Sequence, residues 1–158
     1  MNWQELCEHP GLRNLPFKIE LNEKGQIIMS PAKVYHSLYQ AELAYLLRSM
    51  LKGGKTLTEC AVKTRKGTKV ADVAWASSNR LERIRHETEC SVAPEICIEV
   101  ISSGNIADEI KEKAALYFEN GSEEVWICKA DGTVVFYRGD GKSECSALVP
   151  NFPKKIDV

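Results

Sequence analysis

The sequence predicts an α/β domain with a mixed central β-sheet flanked by helices. Three observations carry that expectation. A long amphipathic stretch follows Pro31; two apolar runs, Lys69–Ser77 and Pro94–Ile101, read as interior strands; and helix, strands, helix, strands succeed one another in order.

Residues 1–16 form a short helical or irregular lead-in that ends at Pro16. Phe17 to Leu21 and Gln26 to Met29 are short strand candidates around the Asn22–Gly25 turn, a hairpin signature. Between Pro31 and Lys52, Val34, Leu38, Leu43, Leu46, Leu47, Met50 and Leu51 recur at helical spacing. Ser30 as cap, Pro31 in the first turn and Gly53-Gly54 as the stop suit a helix there. Thr56–Thr64 and Lys69–Ser77 are strand-like runs joined by the polar turn Arg65-Lys66-Gly67-Thr68, and a polar segment, Ser78 to Ser91, follows. Asn105–Asn120 is a second helix ended by Gly121. Glu124–Cys128 and Thr133–Arg138 pair across Lys129-Ala130-Asp131-Gly132, whose Asp-Gly favours a tight hairpin. With no repeat and no linker, one domain over residues 1–158 is the expectation.

Composition narrows the function classes. The 158 residues are 44% hydrophobic and 27% charged, so the chain can bury a core without disulfide help. Basic and acidic residues number 21 and 22, a net charge of -1, so binding to nucleic acid needs a local basic patch. The six cysteines form no C-x-x-C pair and no zinc-ligand cluster with histidine. They read as reduced thiols, and with no signal-peptide layout and no membrane-length apolar run the expectation is a cytoplasmic protein without a membrane partner.

Two acids stand where a core should be. Alternation along Lys69–Ser77 puts Val70, Asp72, Ala74 and Ala76 on one face and Ala71, Val73 and Trp75 on the other. Both faces are apolar, as in an interior strand, and an ionised carboxylate there is costly unless a positive group meets it. Glu99 repeats the situation between Ile98 and Val100. Two such acids on neighbouring strands can share one hard cation, since Mg²⁺ commonly takes one or two carboxylates plus water and phosphate oxygens. The alternative for each acid is an ordinary structural pair with a Lys or Arg.

In the helix from Asn105, at about 100° per residue, Ile106, Ile110, Ala114 and Tyr117 form an apolar stripe while Asp108, Glu112 and Ala115 point outward. Lys113 falls beside the sheet-facing stripe and Lys111 on the opposite flank. Lys113 can therefore run its stem along apolar surface and present its ammonium to the sheet edge, or snorkel to water.

Five segments occur in order: Ile28-Met29-Ser30-Pro31 with His36, Val70–Trp75, Pro94–Ser102, Lys113–Tyr117 and Gly121–Ile127. Together, across roughly Phe17 to Arg138, they resemble the Uma-type restriction-endonuclease family, a branch of the PD-(D/E)XK nuclease superfamily. The resemblance implies a restriction-endonuclease-like core in which Asp72 is the motif's Asp and Glu99 its second acid. The lysine expected two positions later is replaced by Ile101, and the resemblance implies that Lys113 supplies it from the following helix. His36 matches a histidine common in the family, and Glu20 an acid in its first hairpin. Ala71 stands where Pro often precedes the Asp, and Gln26 where an acid often follows the hairpin glycine.

The chemistry so implied is Mg²⁺- or Mn²⁺-dependent hydrolysis of DNA phosphodiesters, with Asp72, Glu99 and Lys113 catalytic and Asp72 and Glu99 on the metal. Lys63, Arg65, Lys66 and Lys69 around one turn, and Arg80, Arg83, Arg85 and His86, could contact backbone phosphates by charge, or form solvated loops. A homodimer is among the expected partners. Two other functions stay open: a catalytically silent nucleic-acid-binding or assembly module that keeps the fold, and a hydrolase of smaller phosphodiesters.

Overall fold

The computed structural model describes residues 1–102 and 107–158. The first helix, α1 (Trp3–Glu8), is closed by a capping box between Asn2 and Glu5 and followed by a 3-10 turn at Pro10–Leu12. Strands β1 (Phe17–Leu21) and β2 (Ile27–Pro31) pair as an antiparallel hairpin apart from the main sheet. Helix α2 spans Val34–Met50, β3 Gly54–Thr64, β4 Gly67–Ser77, α3 Ser78–Ile84 and β5 Ile96–Val100. Helix α4 (Ala107–Glu119) precedes β6 (Glu124–Cys128), β7 (Val134–Arg138) and β8 (Gly141–Ser143).

The main sheet has the order β3-β4-β5-β6-β7-β8. Every neighbouring pair is antiparallel except β5–β6, which is parallel because α4 carries the chain back across the sheet. This is the expected mixed sheet flanked by helices. Apolar residues fill both sides. Tyr39, Leu43 and Leu47 of α2 pack on Val73, Trp75, Ile96, Ile98 and Trp126, while Tyr117 of α4 joins Ala74, Ala76, Cys97, Val125 and Ile127 on the other side. All five residues of β5 are buried, and each such Val or Ile side chain contributes about 1.5–3 kcal/mol of transfer free energy.

The structure corrects the start of the first long helix. Ser30 and Pro31 lie in β2, where Pro31 registers with Phe17, and Lys33 precedes the helix without a side-chain cap bond. Pairing with β1 outweighs the local cap-and-proline signal. The buried face is accordingly Tyr39, Leu43 and Leu47, and Val34 and Leu38 point outward at 81% and 50% exposure. The polar segment after Ser77 contains α3, which Ser77 caps by accepting from the Arg80 amide. The expected start of the second helix, at Asn105 and Ile106, lies outside the described residues. Six free thiols are present, four of them buried. Among the described residues no helix is long and apolar enough to cross a membrane.

Gly67 locks the hairpin against the sheet. Its φ of +86 and a backbone approach that would set a Cβ 2.3 Å from the Leu21 carbonyl oxygen leave room for no other residue. That contact brings β1, with Lys18 and Glu20, beside β4.

Candidate active site

The site grows from the point where the β4–β5 ladder stops. Val73 registers with Ile98, Ala74 with Cys97 and Trp75 with Ile96. One further step would oppose Asp72 and Glu99; instead the Val100 amide donates to Asp72 Oδ2 at 2.7 Å. Alternation is also disturbed here. Ala74 and Ala76 share one core cluster and Val73 and Trp75 the other, as alternation requires, but Ala71 joins the Ala74 side. The neighbouring residue on β3, Glu59, has φ +50, and the β3–β4 register skips it and Asp72. Asp72 thus sits at a local twist that turns its carboxylate out of the sheet's regular pattern.

Both acids are buried, Asp72 at 1% and Glu99 at 5% exposure, and both meet cations. Lys18 Nζ lies 2.8 Å from Asp72 Oδ1 and 3.5 Å from Glu99 Oε2. Lys113 Nζ lies 3.0 Å from Glu99 Oε1 and 2.7 Å from Glu20 Oε1. The Tyr117 hydroxyl donates to Glu99 Oε1 at 2.7 Å. His36 Nε2 stands 3.3 Å from Asp72 Oδ1. Gln40, one helical turn after His36, donates to the Asp72 carbonyl and to Glu59, each at 2.8 Å. Apart from the buried Tyr117, these groups line an open cleft of about 530 Å³.

Electrostatics separate the two acids. Burial pushes Asp72 up, but hydrogen bonds from His36, Lys18 and the Val100 amide and the charge of Lys18 overcome it and hold the carboxyl well below its usual range. Burial dominates at Glu99 and leaves its carboxyl above the ordinary value despite Lys113 and Lys18. Glu20 stays below its usual value: burial raises it, but Lys113, Lys18 and the Val70 amide outweigh that. Around Lys18, burial lowers the ammonium's pKa and the three carboxylates more than reverse it. His36 is raised, first by its hydrogen bond to Asp72. At an effective dielectric of ~20 an opposite charge ~4 Å away contributes on the order of 4 kcal/mol, enough to offset several kcal/mol of desolvation per buried ion.

Asp72, Glu99, Lys113, His36 and Glu20 therefore converge. Lys113 faces the sheet, as its wheel position predicts, while Asp108, Lys111, Glu112 and Ala115 are exposed. The turn cations pair elsewhere, with Lys66 and Lys69 lining a second cleft beside Glu20 and Lys113. Arg65 pairs with Glu119 at 2.8 Å, Lys66 pairs with Glu112, and Lys69 Nζ donates to the Leu21 carbonyl at 3.3 Å. Arg80 of the second cluster donates to the carbonyls of Ala93 and Gly121. Sequence reasoning missed Lys18, Gln40 and Tyr117. The signals for them were present: Lys18 shares a strand face with Glu20, Gln40 a helix face with His36, and Tyr117 with Lys113.

The residues fit a divalent cation. Each acid commits one oxygen to the protein, Asp72 Oδ2 to the Val100 amide and Glu99 Oε1 to Tyr117 and Lys113. The others, Asp72 Oδ1 and Glu99 Oε2, turn to one cation, the Lys18 ammonium, with His36 Nε2 also 3.3 Å from Asp72 Oδ1. No group of three or more His, Cys, Asp or Glu with metal-site geometry occurs among the described residues; two hard carboxylate oxygens beside an open cleft suit Mg²⁺, which completes its shell with water and phosphate.

A mixed sheet flanked by helices, with buried acids on two neighbouring central strands and a lysine beside them, fits the restriction-endonuclease-like class. The chain belongs to the Uma2 family, described as "Putative restriction endonuclease", whose model matches residues 3–153. Among solved structures it is similar to one described as a putative nuclease belonging to DUF820 from Anabaena variabilis ATCC 29413. The TM-score is 0.67 and the identity 20%, over 87% of this chain and 79% of that chain, a likeness of fold. No curated protein matches the chain.

Proposed function

We propose that this protein is a Mg²⁺- or Mn²⁺-dependent endonuclease acting on DNA, with Asp72 and Glu99 as metal ligands and Lys113 as the catalytic lysine. One observation carries the reading: Asp72 Oδ1 and Glu99 Oε2 face a common cation at the wall of an open cleft. Asp72 and Glu99 would hold the divalent cation, whose charge would acidify a water and neutralise a phosphate oxygen. Lys113, gripped by Glu20 and Glu99, holds its ammonium where negative charge develops at phosphorus. Glu20 is a positioning residue in this account, fixed by the Val70 amide at 2.7 Å. His36 holds an N–H toward Asp72 Oδ1 and can turn it to a phosphate oxygen. Lys63 and Lys69, with Arg65 and Lys66 exchanging their acids on α4, would contact backbone phosphates away from the reacting centre.

Nicking of supercoiled plasmid in Mg²⁺ tests this. Glu99→Ala and Lys113→Ala should each lower the rate by about 10²–10³-fold, the loss typical of a group that stabilises transition-state charge. Activity undiminished in both variants would sink the assignment.

The Lys18 ammonium between the acids favours a second reading, a catalytically silent nucleic-acid-binding module in which that ion pair is permanent. Mn²⁺ binding by the wild type that disappears in Asp72→Ala decides for the nuclease; no Mn²⁺ binding decides for the silent module.

A further inference from the structure

We propose that Lys18 is a resident counter-ion in the metal seat, so that a divalent cation binds by exchange with its ammonium rather than by filling a free site. The inference rests on the reading of Asp72 and Glu99 as metal ligands and adds what controls access to them.

The two lysines of the site are held differently. Lys113 comes from α4 and is fixed by three oxygens: Glu20 Oε1, Glu99 Oε1 and, at 3.5 Å, the Val70 carbonyl. Its contact on Glu99 is the oxygen that Tyr117 also holds. Among the described residues Lys18 meets Asp72 Oδ1, which His36 Nε2 also approaches at 3.3 Å, and Glu99 Oε2. It stands between the two acids that would hold the metal.

Lys18 can also leave. It projects from β1, which belongs to the two-stranded hairpin and not to the main sheet, and its side chain is 17% exposed at the cleft. An ammonium is a compact, strongly hydrated charge on a flexible four-carbon stem, so water in the cleft receives it readily. A divalent cation and an ammonium cannot share the seat, since like charges a few ångströms apart repel strongly in a partly buried site. Three carboxylates, Glu20, Asp72 and Glu99, face two lysines and His36 here. Without Lys18 one competing positive charge is gone, and the seat should hold a metal more tightly.

The test uses the full chain. Mn²⁺ affinity is measured by electron paramagnetic resonance for wild type, Lys18→Met and Lys18→Arg. Lys18→Met should tighten binding by about tenfold or more, the scale set by removing one competing charge, and Lys18→Arg should not tighten it. Equal or weaker binding by Lys18→Met overturns the exchange. A second readout needs no variant. In reductively ¹³C-methylated wild type, the Lys18 dimethylamino resonance should move on saturation with diamagnetic Mg²⁺ toward the position of an exposed lysine. A stationary Lys18 resonance with metal bound overturns the proposal alone. Failure of every protein to bind Mn²⁺ overturns the metal-ligand reading, and this inference with it.

Discussion

Two ends of the same sheet bury acids in opposite ways. At the end where β5 and β6 begin, Glu124 is 2% exposed and accepts from the Trp126 indole, the Ser146 hydroxyl and the amides of Ala147 and Leu148. Beside it Glu95 accepts from the amide and hydroxyl of Ser77, with Arg80 3.6 Å away and itself tied to two carbonyls. At the other end Asp72 and Glu99 each keep one neutral donor, the Val100 amide and the Tyr117 hydroxyl, and are also met by lysines from β1 and α4 and by a histidine from α2. Burial is similar, but the partners differ. Neutral donors built into the backbone and core hold an acid permanently. Cations on flexible stems neutralise an acid while leaving it available to another cation. The kind of partner, more than the depth of burial, separates a structural carboxylate from one poised for chemistry.

The largest effect should come from removing the structural acid. Glu124→Ala strands four donors at once. A buried donor without a partner costs about 1–3 kcal/mol, so urea unfolding should show a loss of about 3–5 kcal/mol, with Mn²⁺ affinity of the folded protein unchanged. A variant as stable as wild type would erase the distinction between the two ends.

A smaller effect sharpens it. A ligand at ten times its dissociation constant stabilises by about 1.4 kcal/mol, or about 3–6 °C in a chain of this size. Mg²⁺ at that excess should raise Tm by this amount in wild type and in Glu124→Gln, and not in Asp72→Asn. A shift that survives in Asp72→Asn would move the seat elsewhere.

The two ends were not equally legible in the sequence. Asp72 and Glu99 stand out because their strand neighbours are apolar on both faces, so a charge there demands an explanation; for Lys113 the helical wheel allows a sheet-facing ammonium or one snorkelling to water, and the resemblance favours the first. Lys18 leaves only a faint trace, the strand face it shares with Glu20. Its strand is short and only partly buried, and its partners lie 54 and 81 residues away. The Glu124 network is equally silent, because Ser146 to Leu148 belong to an irregular segment without periodicity. The misplaced helix start has a related cause: Ser30-Pro31 carries a local cap signal, and only pairing with Phe17, a tertiary contact, cancels it.

The smallest prediction concerns charge at the seat in metal-free protein. Its hydrogen bond to Asp72 raises the His36 pKa above the usual ~6.5, against burial, with the Asp72 charge assisting. A group raised on folding gives stability that is complete below its unfolded pKa and lost as pH rises through its folded one. In EDTA, wild type should therefore exceed His36→Gln in Tm at pH 6 by an amount worth under about 1 kcal/mol, and the gap should shrink by pH 9. Asp72 stays ionised throughout, since its pKa is depressed, and titration of Glu99 largely cancels between the two proteins. A constant gap would mean that the imidazole carries no charge beside Asp72.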